Sequence, residues 1–368
     1  MKKRLPELIT IGIFLVFLFA FTAGNIFAEK KDFSENENRS LAPFPSLSAA
    51  NIFGGDFDTQ FESWFSDHFV GRDGWIEAKA LTRKTLGAIE NNNVYFAKGS
   101  RLIQQFASYD PDRFQNNIEY IEEFCTDTGR TGNILIIPDA CFGAEKALPF
   151  GAWNIDENIL LDVVADTVQG QNVIDLREML NDPHYYFRTD HHWNASGAYQ
   201  GYKAICAQVL ATEPKRFMMT PVTAEFRGTM FSRSGAFWSR GEALERIDCE
   251  QPFNAALVFE DGSVMYSLYN EERLKTKDKY TYYIDGNHAF TEIHTDCGTG
   301  RSAVIVKDSY SHILMPYLAA EYSTIRLVDL RYYQGAVSSL LEEDPQADLY
   351  FIYSLNTLVT DSSLGMLW

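Results

Sequence analysis

Apolar and polar positions alternate along the chain in a way that predicts buried strands separated by amphipathic helices from about residue 91 onward. Short, continuous apolar runs are typical of strands covered on both faces, and they occur at Asn133–Pro138, Asn172–Leu176, Ser302–Lys307, Thr324–Leu330 and Leu349–Tyr353. Apolar residues at helical spacing predict helices at Phe114–Asp127, Ile155–Val168, Ala195–Ala211, Ile313–Glu321 and Gln334–Glu343. This alternation predicts an α/β fold with a mainly parallel sheet and helices on both faces.

The alternation lapses over residues 215–300, where Gly, Ser, Thr and aromatic residues dominate. Strand-like pieces within it are predicted at Ala256–Phe259, Val264–Leu268 and Tyr280–Ile284. We interpret the stretch as a β-rich insertion that lies near the functional site.

The N-terminal part has the pattern of a targeting segment. Lys2, Lys3 and Arg4 precede an uncharged apolar run from Leu8 to about Ala28, which is long enough to span a bilayer. The basic flank predicts that the chain starts inside and continues outside. We favour a retained signal-anchor over residues 1–28, with cleavage after Ala28 as the alternative. A polar, Pro-containing spacer over residues 29–56 and one large domain over residues 57–368 follow.

Composition narrows the class of partner. The chain has 368 residues and a formal charge of −18, and no basic patch with interleaved aromatic residues stands out. These features exclude nucleic acid as the main partner. Aromatic residues make up 14% of the chain, which fits a protein that faces carbohydrate. The five cysteines contain no CxxC pair, which argues against a zinc ribbon or a redox motif; one or two disulfides stay open.

The most reactive side chains occur in two distant segments that follow predicted strands. Asp190 and His192 lie in the loop that leads into a helix, and Ser309 lies on a strand-to-helix turn. A serine hydroxyl needs a base, and the base needs an orienting acid. Ligands of parallel sheets bind beyond the carboxyl ends of the strands. We therefore predict that Ser309 is a nucleophile, His192 its base and Asp190 the orienting acid, with a hydroxyl-to-ring-nitrogen distance of about 3 Å.

Further residues are predicted to surround this site. The oxyanion would be held by the Ser309 N–H, by the neighbouring N–H groups at the start of the helix, and by the Asn356 side chain. Trp193 either walls a sugar site or fills the core, and His191 and Tyr310 join it as candidate substrate-binding residues. A metal site built on Asp190 and both histidines is the less favoured alternative, because adjacent side chains of an extended segment point to opposite faces. We therefore expect neither a metal nor an organic cofactor.

The same residues carry a family resemblance. Asp190-His191-His192-Trp193 resembles the signature of DHHW-type proteins, which are similar to the alginate O-acetyltransferases of the AlgX/AlgJ kind and contain an SGNH-hydrolase-like domain. Lys307-Asp308-Ser309-Tyr310 resembles the nucleophile block of that fold, although Lys307 stands where Gly is usual. The segment ending at Asn356 resembles its strand-then-Asn block. The resemblance implies catalytic roles for Ser309, His192 and Asp190.

Two functional hypotheses follow. The first is an extracytoplasmic, membrane-anchored O-acyltransferase or esterase that acts on a cell-envelope polysaccharide through an acyl-enzyme, most simply acetyl. Because acetyl-CoA is not free outside the cytoplasm, a membrane protein that exports acyl groups is an implied partner. The second hypothesis, motivated by Lys307, is a degenerate module that binds glycan or a partner protein. The sequence leaves open the polysaccharide, the acyl donor, transfer versus hydrolysis and the oligomeric state.

Overall fold

The computed structural model describes residues 4–368. The chain divides into two compact units. Unit 1 comprises the residues up to Leu86 together with Gly235–Trp238, and unit 2 comprises Gly87–Ser234 and Ser239–Trp368. The stretch between residue 57 and Leu86 therefore groups with the N-terminal segment, whereas the α/β alternation lies in unit 2.

Unit 1 consists mainly of helices. Its elements are α1 (Leu5–Phe27), β1 (Phe33–Ser34), β2 (Arg39–Ser40), α2 (Ala49–Gly54), α3 (Asp56–Asp67) and α4 (Arg72–Thr85). Among the described residues, one helix is long and apolar enough to cross a membrane, over Pro6–Phe27 with a mean hydropathy of 2.2. Such a helix is of the kind found in signal anchors and signal peptides. Lys2 and Lys3 of the predicted basic flank lie outside the described residues.

The strands of unit 2 form three sheets, and the largest has eight strands. The strands are β3 (Glu90–Asn91), β4 (Val94–Ala97), β5 (Arg101–Gln104), β6 (Gly132–Ile137), β7 (Asn172–Ile174), β8 (Phe217–Phe226), β9 (Glu242–Cys249), β10 (Ala255–Phe259), β11 (Val264–Met265), β12 (Phe290–Thr295), β13 (Ser302–Lys307), β14 (Thr324–Val328) and β15 (Asp348–Ser354). The order in the large sheet is β11-β10-β12-β14-β13-β15-β6-β7. The run from β14 to β7 is parallel. These are the five strands predicted from apolar runs, so the predicted α/β fold with a mainly parallel sheet is confirmed.

The helices of unit 2 lie between these strands along the chain. They are α5 (Pro111–Thr128), α6 (Ala140–Gly143), α7 (Glu157–Thr167), α8 (Ala195–Ile205), α9 (Thr229–Ser234), α10 (Met315–Leu318), α11 (Val337–Glu343) and α12 (Leu355–Thr360). Four of the predicted helices are confirmed as α5, α7, α8 and α11. The predicted helix at Ile313–Glu321 is instead a 3-10 turn over Ser309–Leu314 followed by the short α10. The turn starts early because the Asp308 side chain accepts a hydrogen bond from the Tyr310 N–H.

The predicted insertion is rich in strands, but much of it extends the large sheet. β8 and β9 form a separate hairpin, whereas β10, β11 and β12 add antiparallel strands at the β14 edge. The predicted strand Tyr280–Ile284 is wrong, because Lys279–Tyr282 is a 3-10 turn. Ile284 and Asp285 then adopt positive φ angles of 48° and 63°, which end any extended run.

Candidate active site

The turn that carries Ser309 is held between two strand ends. Asp308 follows β13 and is almost fully buried, and its Oδ1 accepts from the Tyr310 N–H at 2.8 Å. Its Oδ2 accepts from the Ser354 N–H, at the end of β15, at 2.9 Å. Ser309 is the first residue of the 3-10 turn and is partly exposed. The carboxylate of Asp308 therefore fixes the backbone from which the Ser309 hydroxyl projects.

A hydroxyl, an imidazole and a carboxylate line up across two segments that are distant in the sequence. His192 Nε2 lies 2.8 Å from Ser309 Oγ, which confirms the predicted distance. His192 Nδ1 lies 2.5 Å from Asp190 Oδ1, and the His192 N–H also donates to that oxygen at 3.0 Å. Asp190 and His192 are buried. The arrangement can pass a proton from the hydroxyl to the imidazole while the carboxylate orients the ring.

The first residue of α9 donates hydrogen bonds to the Asp190 carboxylate. The sequence did not predict this contact. Asp190 Oδ2 accepts from the Thr229 N–H at 2.7 Å and from the Thr229 hydroxyl at 3.0 Å. A Cβ at Gly228 would lie 2.1 Å from the same oxygen, so only glycine allows this approach. Burial opposes ionisation of Asp190, but the neighbouring His191 and His192 and the hydrogen bonds it accepts lower its pKa well below the usual value.

His191 lies beside His192, contrary to the prediction that the two rings point to opposite faces. Their centroids are 3.9 Å apart. His191 Nδ1 lies 2.6 Å from the Thr229 hydroxyl. Because that hydroxyl donates to Asp190, the His191 Nδ1–H is the donor in this pair. Burial and the nearby His192 lower the pKa of His191 to about 4, so the ring is neutral at neutral pH.

Asp190, His191 and His192 also satisfy the spacing of a metal site. Each offers a ligand atom, and these atoms lie within 4.8 Å of one another. Both ring nitrogens of His192 already have partners, Asp190 on one side and Ser309 on the other. A metal ligated by His192 would therefore displace one of these contacts, and the geometry fits the proton relay better than a metal site.

Tyr280 contacts both His192 and the turn that carries Ser309. Its ring stacks on His192 with a centroid distance of 3.8 Å and an interplanar angle of 11°. Its hydroxyl donates to the Ser309 carbonyl at 3.0 Å. The sequence does not predict these contacts, because the pattern around Tyr280 predicts a strand rather than a turn of the insertion.

Trp193, for which a sugar wall and the core are the two alternatives, and Tyr310, a candidate substrate-binding residue, are both buried. Trp193 is fully buried and its Nε1–H donates to the Tyr310 carbonyl at 2.8 Å. Tyr310 is 2% exposed and its hydroxyl donates to the His191 carbonyl at 2.5 Å. These two bonds join the segment Asp190–Trp193 to the turn that begins at Ser309. Side chains this deeply buried present no surface to a sugar, so burial favours the core alternative for Trp193 and contradicts the substrate-binding prediction for the Tyr310 side chain.

The predicted oxyanion donors differ in their availability. The Tyr310 N–H is taken up by Asp308. Asn356 lines a small cavity with His191 and Tyr310, of about 10 Å³, which is room for one water-sized group. Its Oδ1 accepts from the Gln104 side chain at 3.3 Å, so its amide N–H groups face elsewhere. The Ser309 N–H and the Asn356 amide stay the candidate donors.

Two buried acids, Asp139 and Glu157, lie beside this cavity. Only the position of Asp139 directly after an apolar run could have indicated them in the sequence. Asp139 Oδ2 accepts from the Asn356 N–H at 3.0 Å. Glu157 accepts from the Asp139 N–H at 2.9 Å and from the Cys141 thiol at 3.1 Å. Burial raises the pKa of Asp139 although hydrogen bonds from Tyr310 and Asn356 oppose it. Burial and the charge of Asp139 also raise the pKa of Glu157.

Lys307, which stands where Gly is usual in the resembling family, contacts buried polar side chains. The side chain is buried, and its ammonium lies 3.2 Å from Asp329 Oδ2 and 2.9 Å from His312 Nε2. Burial lowers the pKa of Lys307, with Asp329 opposing the shift. The substitution therefore adds a buried ion pair beside the turn and leaves the contact between Ser309 and His192 intact.

Comparisons with known proteins agree with this fold. The family model described as DHHW protein matches residues 164–328, a range that includes Asp190, His191, His192 and Ser309. The resemblance to that family is thereby confirmed. A search among curated proteins found no significant match.

Two of the solved structures that are similar to this chain have TM-scores above 0.5 and share its fold. A DHHW family protein from Eubacterium siraeum is similar with a TM-score of 0.65 at 20% identity, over 76% of this chain and 96% of that one. Bacillus cereus PatB1, solved with a sulfonyl adduct, gives a TM-score of 0.59 at 17% identity, over 72% and 95%. The O-acetyltransferase domain of Pseudomonas putida AlgJ is more distant, with a TM-score of 0.48 at 12% identity over 73% and 93%.

Proposed function

We propose that this chain is a serine-dependent O-acyltransferase or esterase that acts outside the cytoplasm on a cell-envelope polysaccharide. The observation that carries the proposal is the relay of Ser309, His192 and Asp190, with 2.8 Å and 2.5 Å between successive partners. Of these three residues, only Ser309 is partly exposed. This exposure fits the proposal, because the hydroxyl has to be accessible to an acyl donor.

The first half-reaction forms an acyl-enzyme. Ser309 Oγ attacks the carbonyl carbon of the acyl donor while its proton passes to His192 Nε2. Asp190, ionised and held by Thr229, stabilises the imidazolium and keeps the ring in the required orientation. His192 then gives the proton to the leaving group as the tetrahedral intermediate collapses.

The oxyanion of that intermediate needs donors aimed at the place where negative charge develops. The Ser309 N–H at the start of the turn and the amide of Asn356 are the donors we assign to it. Loss of one such donor typically costs about 3–4 kcal/mol of transition-state stabilisation. Tyr280 stacks on His192 and would stabilise the imidazolium through its ring face.

The second half-reaction transfers the acyl group. A sugar hydroxyl, or water in an esterase, attacks the acyl-Ser309 carbonyl and gives its proton to His192 Nε2; the alkoxide of Ser309 leaves and regains a proton from the imidazolium. The acetyl group and the polysaccharide acceptor rest on the resemblance to alginate O-acetyltransferases. No step requires a metal or organic cofactor. A membrane protein that exports acyl groups would supply the donor.

Location follows from the N-terminal helix. We propose that Pro6–Phe27 is a retained signal-anchor and that the remainder of the chain lies outside the cytoplasmic membrane. The relay, the fold and the apolar helix support one protein that works at the envelope while held at its membrane.

A serine-reactive probe tests the catalytic proposal. A sulfonyl fluoride or fluorophosphonate should label the wild type and should fail to label Ser309→Ala or His192→Ala. The matched control is Ser311→Ala, two positions along the same turn, whose hydroxyl donates to the Asp308 carbonyl at 2.8 Å. This control should keep the label, because it loses one hydrogen bond worth about 1 kcal/mol.

The remaining outcomes separate the alternatives. A folded wild type that no probe labels supports the degenerate binding module. Labelling of Ser309→Ala would place the nucleophile elsewhere. Activity lost to a chelator and restored by a divalent metal would favour the site of Asp190, His191 and His192 as a metal centre.

A further inference from the structure

Unit 1 contains an apolar groove that the catalytic proposal leaves unexplained. It encloses about 800 Å³ and is lined by aromatic side chains, among them Phe17 and Phe21 of α1 and Phe61, Phe65 and Trp75 of α3 and α4. Phe61, Phe65 and Trp75 stay 38%, 41% and 49% exposed. Phe17 of α1 is likewise 50% exposed, so the apolar surface of the groove continues onto the exposed side of that helix.

The groove continues the surface of the helix that we assign to the membrane. Phe21 stacks on Phe69 at 5.9 Å and contacts Trp75 at 5.8 Å, so the α3–α4 segment packs against the last turns of α1. Phe17 lies about 15 Å along α1 from its final residue, Phe27. That distance is about half the thickness of a bilayer's hydrocarbon core, so the inner end of the groove reaches the depth of acyl chains.

Polar groups occur at the other end of the groove. The Lys30 ammonium lies 5.2 Å from the centre of the Trp64 ring and donates to the Asn25 carbonyl at 2.8 Å. Tryptophan rings and lysine ammonium groups are characteristic of the boundary between acyl chains and headgroups. The order along the groove, from Phe17 to Lys30, therefore matches the change from hydrocarbon to headgroup.

We infer that this groove binds the acyl chains of membrane phospholipid, so that the α3–α4 segment lies in the outer boundary of the bilayer beside α1. Phospholipid is favoured over a protein helix because the walls continue the membrane span and Lys30 stands where a phosphate would lie. The inference rests on the retained anchor of the proposed function, and the chemistry of Ser309 plays no part in it.

Quenching of tryptophan fluorescence tests the inference. The full chain is reconstituted in phosphatidylcholine vesicles whose acyl chains carry bromine, a contact quencher. We expect wild-type emission to be quenched, and the double variant Trp64→Phe/Trp75→Phe to lose most of the quenched component. The matched control is Trp153→Phe, which removes a side chain of unit 2 that is 59% exposed; it should keep that component.

Flotation of the same vesicles separates failure of the inference from failure of the anchor. A chain that floats with the vesicles but whose quenching is equal in the wild type and in the double variant keeps the anchor and overturns the lipid groove. A chain that does not float overturns both, whereas probe labelling of Ser309 is unaffected by either result. Quenching that disappears as the protein-to-lipid ratio rises would mean that a second copy covers the groove, which also overturns the inference.

Discussion

A single hydroxyl, that of Thr229, connects the acid of the relay to the adjacent histidine. It donates to Asp190 Oδ2 at 3.0 Å and accepts from His191 Nδ1 at 2.6 Å. Asp190 is buried beside two imidazoles, and its ionised state depends on the donors around it. Thr229 therefore holds the Asp190 carboxylate in place, although it does not contact Ser309.

Replacement of this hydroxyl should slow acylation without unfolding the protein. Thr229→Val keeps the shape and the backbone N–H but removes a hydrogen bond to a charged group, which is worth about 1.5–3 kcal/mol. We expect probe labelling of Ser309 to slow by about tenfold or more. Thr229→Ser should restore most of the rate. The measurement is the pseudo-first-order labelling rate, with the melting temperature of each variant recorded.

A merely structural role would give a different pattern. If both Thr229→Val and Thr229→Ser changed the melting temperature but the probe labelled Ser309 at the wild-type rate, the Thr229 hydroxyl would not be needed to position Asp190. The same would follow if the rate loss were equal at both substitutions.

At the residue scale the sequence indicates the candidate reacting groups but not the residues that support them. Asp190, His192 and Ser309 could be proposed because their residue types and positions after strands define a chemistry. Thr229 and Tyr280 reach the site only through tertiary packing of the insertion, for which no local pattern exists. The sequence does not decide whether Trp193 lines a sugar-binding site or fills the core, because an aromatic residue beside a motif is compatible with both positions.

Strands were predictable where burial on both faces leaves a continuous apolar run. β6 and β13 are examples, and almost every residue in them is buried. The antiparallel addition of β10 and β12 to the edge of the sheet was not predictable, since pairing across distant segments leaves no mark in either one. Lys307 shows the same limit, because its partner Asp329 follows the neighbouring strand β14.

The end of β6 and the start of α7 carry a pH-dependent pair. Asp139 and Glu157 have raised pKa values in the folded protein. A carboxyl group with a raised folded-state pKa stabilises the fold fully below its unfolded pKa, about 4, and loses that contribution as pH rises through the folded value. Stability should therefore decline as pH increases.

Glu157→Gln should flatten this dependence. The amide keeps an oxygen that can accept from the Asp139 N–H and carries no charge at any pH. We expect the melting temperature of the wild type to fall from about pH 5 to about pH 9, and that of Glu157→Gln to fall less. Glu145→Gln, at an exposed position between Asp139 and Glu157 in the sequence, is the control and should follow the wild type. Parallel curves for all three proteins would contradict the assignment.

Across the whole molecule, burial rather than cross-linking accounts for stability. All five cysteines are free, and Cys125, Cys141 and Cys206 are buried. The disulfides that the sequence left open are therefore not formed within the chain, although we propose a location outside the cytoplasm. The net charge of −18 weakens attraction to anionic lipid, so the membrane attachment that we propose would depend on the apolar N-terminal helix.

That dependence predicts a position-specific effect of charge in α1. Val16 lies near the middle of Pro6–Phe27, where an arginine costs about 2.5–3.5 kcal/mol of insertion free energy. Phe27 is the last residue of the helix, where an arginine side chain can extend to the headgroups at lower cost. We therefore expect Val16→Arg to reduce the fraction of full-length chain that resists extraction from membranes at alkaline pH, and Phe27→Arg to leave that fraction close to the wild type. Equal extraction of wild type and Val16→Arg, with the N-terminal segment absent by intact mass, would identify the helix as a cleaved signal peptide.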